Sequence, residues 1–252
     1  MIGGIDLSLT VFAAAMVFAR IGAILLLLPG IGESSIPPRI RLAFALAFAY
    51  AVGPLLADRL PEQPDTLIAM LGMIALEALI GLMIGAASRI LLAAGAVGGQ
   101  IIGYQTGLAM AQSFDPTQGQ SGALPAQFLN LLFMVLIFIT NLHHYLLLTT
   151  VESYQIMPAG QMPMFEDAAY WALGLFADSF VLALQISAPL VAFGLIFYLG
   201  LGVLSRLMPQ AQIFFIAMPL NILLGFSILA VTLGSISMVF IGRYEQFALT
   251  LS

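Results

Sequence analysis

Charged side chains stand inside otherwise apolar sequence at Arg20, Glu77, Arg89, Glu152 and Asp178. Carboxylates in such surroundings can relay protons or bind a cation, whereas a carboxylate set against an arginine makes a fixed ion pair. The spacing favours pairing. No second carboxylate lies one helical turn from Glu77, Glu152 or Asp178, and transporter ion sites gather several ligands near broken helices. Arg20 is therefore read as the partner of Glu77 or Asp178, with a place on a substrate path as the alternative. All seven basic residues are arginines, and the planar, permanently charged guanidinium suits fixed pairs better than a proton-relay lysine would.

Enzymatic chemistry finds little support. His143 and His144 are adjacent, so on a helix they point about 100° apart and cannot grip one metal from the same face. There is no His-Glu-x-x-His and no Gly-x-Ser-x-Gly, and Asp115 and Asp178 sit in no paired-aspartate motif. With no cysteine, disulfides and thiolate metal sites are excluded. No catalytic, cofactor or metal set emerges, and without a basic cluster to neutralise phosphates nucleic acid is not a partner.

The elements that hold these charges are membrane helices. Residues 116–151 and 207–242 each contain no Asp, Glu, Lys or Arg over 36 positions, where about 20 apolar residues suffice to span a bilayer. The chain is 62% hydrophobic and 8% charged, and its mean hydropathy is +1.09. Its longest polar stretches are too short to bury a core of their own. These features predict an all-α, polytopic membrane protein of about six segments, folded as one membrane-embedded domain over residues 1–252.

Segment one runs from Leu7 to Leu28 and stops at Pro29-Gly30. It lacks a basic leader region and carries Asp6, so it is expected to remain in the mature protein rather than be cleaved. Ser34 or Ser35 could cap segment two (Ile40 to Leu56), and Pro37 or Pro38 suits its first turn. Segment three, Thr66 to Ile102, would be about 55 Å long at 1.5 Å per residue, against about 30 Å of hydrocarbon. It must tilt, break or project, and Gly95, Gly98, Gly99 and Gly103 mark a break or a close-packing face. Segment four covers Ala123 to Val151. Segment five, Ala168 to Leu207, contains Pro189, and segment six, Ala211 to Ile241, contains Pro219 and Gly225. Prolines 189 and 219 are read as kinks; Gly194, Gly200 and Gly202 favour close helix approach. The 13 methionines fill gaps in a core or form a deformable seal around a pore.

Thr106 to Gly122 is the exception, polar and glycine-rich between two apolar regions. Gly107, Gly119 and Gly122 allow it to move, Asp115-Pro116 sets a turn, and Met110 and Phe114 carry apolar surface. By itself it is read either as a connecting loop or as a mobile functional segment.

Taken in order, these residues resemble the FliR family of flagellar type III export-gate proteins. The pattern begins with Arg20…Pro29-Gly30-x-Gly32…Ile36-Pro37-x-Arg39-x-Arg41, continues with Glu77 and Gly81, then Gly103-x-Gln105-x-Gly107 and Asp115-Pro116. It ends with His143 or His144, Gly202…Arg206-x-x-Pro209-Gln210, Pro219 and Gly225. The Asn-Leu-His-His stretch departs from members with Gly before the His, and Gln212 stands where some carry Asn. The resemblance implies a non-enzymatic subunit that joins FliP- and FliQ-like chains into the entry channel for unfolded export substrates. It implies long bent helical hairpins, FlhB- and FlhA-like neighbours, and a place in the bacterial inner membrane at the flagellar basal body. The 106–122 loop would plug the pore through Gly107, Met110, Phe114, Asp115, Pro116, Gln118 and Gly119. Arg20, Glu77, Asp178 and Arg206 would be buried charges, and Pro189, Pro209, Gln210, Pro219 and Gly225 would shape helix kinks and packing. The alternative is a small-molecule or ion transporter acting alone or as a homodimer, with Glu77 or Asp178 on its path.

Overall fold

Apolar runs of this length must satisfy their backbone groups internally once away from water, and the helix does so within a single segment. The structure, a computed structural model, describes residues 7–109, 124–161, 165–208 and 213–250. Among these residues the chain forms α1 (Leu7–Leu27), α2 (Pro38–Leu56) with a short 3-10 turn after it (Ala57–Arg59), and α3 (Leu67–Gln105). Then follow α4 (Leu124–Ile139), α5 (Leu142–Ile156), α6 (Phe165–Leu207) and α7 (Ile213–Thr250). No described residue lies in a strand.

Four stretches are long and apolar enough to cross a membrane: Pro38–Arg59, Leu67–Gln105, Glu166–Leu207 and Ile216–Thr250. The pair α4 and α5 makes a fifth if it is one broken span, and Val11–Leu27 is apolar but shorter. The protein is an all-helical, polytopic membrane protein.

Three local outcomes refine the sequence reading. Pro37 is the N-cap of α2, with no side-chain cap, so neither Ser34 nor Ser35 serves. The fixed φ of Pro37 and Pro38 sets the first turn instead. Segment four is two helices, because Asn141 adopts φ 61, a left-handed conformation that the short polar Asn side chain tolerates and bulky or β-branched residues resist. Segment three does not break. Gly95, Gly98 and Gly99 are contact points within one 39-residue helix.

The chain forms two compact units, Met1–Ile90 with Asn141–Leu175 and Glu245–Ser252, and Leu91–Thr140 with Phe176–Tyr244. In lipid the hydrocarbon gives helices no apolar reason to associate, so close van der Waals packing at small residues must supply the attraction. In the first unit α3 lays Gly81 against the backbone of Arg20 and Gly85 against that of Ile24, leaving no room for a Cβ at either. The α1 face they meet, Met16, Val17, Ile21, Ile24 and Leu25, is buried. In the second unit Gly99 abuts the backbone of Ala126 and Pro125, while Gly95 receives the ring of Phe133. Phe133 stacks on Phe240 with centroids 4.0 Å apart, and both rings are fully buried.

Candidate functional site

In the first unit the structure pairs Arg20 with Glu77, and both side chains are wholly buried. Arg20 Nε donates to Glu77 Oε2 at 2.6 Å and Nη2 to Oε1 at 3.1 Å, the two parallel bonds that make an arginine fork strong. Its Nη1 donates to the carbonyls of Met157 (2.8 Å) and Ser153 (3.3 Å). These carbonyls lie at the end of α5, which carries partial negative charge, and the Ser153 oxygen also accepts the Met157 N–H at 2.9 Å. Arg20 thus caps α5 from α1. The guanidinium also sits 3.9 Å over the Tyr154 ring, adding a cation–π contact. Glu77 Oε1 takes a further bond from the Gly160 N–H at 2.9 Å. Gly160 has φ 73, which glycine adopts without strain.

Chemically, this is a neutral clasp tying α1, α3, α5 and the turn after α5. Each oxygen of Glu77 already holds a donor, so the arrangement is built to hold position rather than to bind and release a cation. The sequence left Arg20 a choice of two partners; Tyr154 and Gly160 were not among its candidates. No sequence signal pointed to them, because the contacts join Arg20 to residues more than 130 positions away.

In the second unit a polar group gathers just past the end of α3, at Gln105, Thr106 and Gly107. Thr106 N bonds Ile102 O and Gly107 N bonds Tyr104 O, and Gly107 takes φ 74, the left-handed residue that commonly closes a helix. Asn221 of α7, 3% exposed, donates through Nδ2 to the Gln105 carbonyl at 3.0 Å and to Tyr198 Oη at 3.3 Å. Gly225, a turn further along α7, leaves just enough space for the Thr106 methyl, and Gly194 of α6 does the same for the Gln105 amide. An open apolar groove of about 690 Å³ runs beside them, lined by Gln105, Leu184, Val191, Leu195, Tyr198 and Leu199. Neither Asn221 nor Tyr198 was singled out from sequence. An amide deep in an apolar helix needs a partner, and that was the overlooked signal.

The remaining candidates are dispersed. Asp178 and Arg206, expected among the buried charges, are exposed on α6. Glu152 is half-buried on α5, with Oε2 unpartnered among the described residues. Pro189 lies within α6 and Pro219 within α7, and both helices continue through them. Met110, Phe114, Asp115, Pro116, Gln118, Gly119, Pro209 and Gln210 fall outside the described residues. His143 and His144 lie on α5 with rings 4.1 Å apart. Among the described residues no three His, Cys, Asp or Glu side chains group as metal ligands.

Residues 11–247 match the family described as bacterial export proteins, family 1. The Flagellar biosynthetic protein FliR of Caulobacter vibrioides is 42% identical over 236 residues, covering 94% of each chain. The protein of the same name from Bacillus subtilis is 31% identical over 243 residues, 95% of this chain and 92% of its own. That from Escherichia coli is 29% identical over 211 residues, 84% of this chain and 80% of its own. A match that runs from α1 into α7 and takes in the Arg20–Glu77 clasp and the α3 terminus places the chain in the FliR family of bacterial export proteins.

Proposed function

We propose that this chain is a non-enzymatic subunit of the flagellar protein-export apparatus in the bacterial inner membrane. It joins FliP- and FliQ-like subunits to form an entry channel for unfolded substrates, beside FlhB- and FlhA-like proteins. The 106–122 loop is its pore plug. Family membership supports the export role. One observation supports assembly with other subunits, the length of exposed apolar surface along α6.

Between Phe176 and Leu207 α6 exposes Phe176, Phe180, Leu184, Leu195, Leu199, Val203 and Leu207, along a line that winds around the helix. These 31 residue steps extend about 47 Å, while a bilayer offers about 30 Å of hydrocarbon. Even a tilt of 40°, the upper end for membrane helices, leaves about 36 Å to cover. Lipid alone does not cover this surface, and neighbouring protein subunits would. The transporter alternative is weakened by the clasp, which engages both oxygens of Glu77.

Co-expression with FliP- and FliQ-like neighbours, followed by native mass spectrometry of the detergent-extracted chain, tests this reading. The expected result is one large complex holding a single copy of the chain and several of each neighbour. A monomer or homodimer, with the neighbours present but unbound, would overturn it.

A further inference from the structure

We infer that Asp178 is a docking carboxylate, and that the flank of α6 around it receives an apolar helix of a different subunit carrying an arginine or lysine at this level. The inference deepens the assembly reading of this chain and rests on it.

Asp178 and Gln185 are both exposed on α6, and neither side chain has a hydrogen-bond or ion-pair partner among the described residues. Seven residues apart, they stand two turns from each other on one flank, about 10 Å along the axis. Large apolar side chains interleave with them: Phe176 is 51% exposed, Phe180 63% and Leu184 56%. The interleaving decides what covers this length of helix. A bilayer drawn over residues 176–184 takes Asp178 into hydrocarbon, where a lone carboxylate is expensive. A bilayer drawn beyond Gln185 leaves the three large apolar side chains in water. Protein satisfies both kinds of group at once, by packing on the apolar side chains and pairing the carboxylate.

Charge fixes the partner's chemistry. An unpaired carboxylate calls for a cation, and the amide two turns on both donates and accepts. The flank is otherwise apolar. On a helical wheel Val181, Ala192, Ile196 and Val203 fall within about 60° of Asp178, and all four are exposed. Four apolar positions to two polar ones make a poor wall for a water-filled path and a good seat for a helix with one charge. A second copy of this chain fits badly. Copies inserted in one orientation and related by a two-fold axis along the membrane normal would set this flank of α6 against itself, aspartate toward aspartate.

The test uses the full chain with its co-expressed neighbours, native mass spectrometry giving the assembled fraction. Asp178→Asn, nearly isosteric, is expected to leave thermal unfolding of the unassembled chain unchanged and to lower the assembled fraction about tenfold. Asp178→Glu should retain most of it. A photo-crosslinking side chain at Val181 should capture a peptide of another subunit with an Arg or Lys within one helical turn of the captured residue. Exchanging that cation for Asp, together with Asp178→Arg, should restore assembly. The crosslink decides the matter if Asp178→Asn is lost before it assembles. If the complex forms and Asp178→Asn assembles as wild type, the docking carboxylate is wrong and the assembly reading stands. A Val181 crosslink to lipid alone, to a second copy of this chain or to a peptide without a cation would overturn it too. Should the wild-type chain form no complex with its neighbours, both readings fall.

Discussion

A guanidinium removed from water is tolerated only where nearly every donor finds an acceptor, and Arg20 meets that condition with one carboxylate and two helix-end carbonyls. The geometry makes the two halves of the clasp unequal to their sum. Glu77→Gln would leave a buried positive charge with poor compensation, a change that typically costs about 3–5 kcal/mol. The expected outcome is a marked fall in the unfolding temperature of the detergent-extracted chain and in its yield. Replacing both members, Arg20→Met with Glu77→Leu, should recover part of that loss, since a well-packed apolar pair often matches a buried ion pair. A single Glu77→Gln variant as stable as wild type would show that the clasp does not hold the unit together.

Helices in this protein approach one another at glycine, and the consequence is testable one Cβ at a time. At Gly99 a methyl would strike the backbone of α4, which cannot rotate away. Gly99→Ala is expected to lower stability by about 1–3 kcal/mol, the usual range for overpacking. Gly200 on α6 has nothing near its would-be Cβ, so Gly200→Ala should be neutral or stabilise by up to about 1 kcal/mol through reduced backbone freedom. Thermal unfolding of the two variants in the same detergent separates them. Equal effects would argue that α3 and α4 do not meet as closely as described.

For the molecule as a whole, the decisive quantity is how much apolar surface the bilayer leaves uncovered. The buried fraction of an 18-residue window in each of the four spanning stretches is between 17% and 33%, so most residues of these windows are not buried within this chain. Lipid and protein partners predict different depth profiles. Photo-crosslinking side chains placed singly at Phe176, Leu195 and Leu207 should, in the assembled complex, capture protein at one end of this length at least. Crosslinks to lipid alone at all three positions would remove the length argument for neighbouring subunits.

What the sequence by itself determined follows from local physics. Two charge-free runs of 36 residues leave no soluble alternative to membrane helices, and breakers such as Pro29-Gly30 mark a helix end wherever they fall. The ordered series from Arg20 to Gly225 carried the family, because each member of it is recognisable without knowing what it touches. The break at Asn141 was harder to see, since it depends on one residue adopting a left-handed φ in a sequence without proline or glycine there. Only the tertiary structure decided that Arg20 takes Glu77, 57 residues away, while Asp178 stays exposed. It alone brought Asn221 to the carbonyl of Gln105, 116 residues distant. Hydropathy and spacing report how a residue sits in its own helix. Which carboxylate meets which arginine depends on the meeting of two helix faces, and that is set by where glycines such as Gly81 let the backbones close.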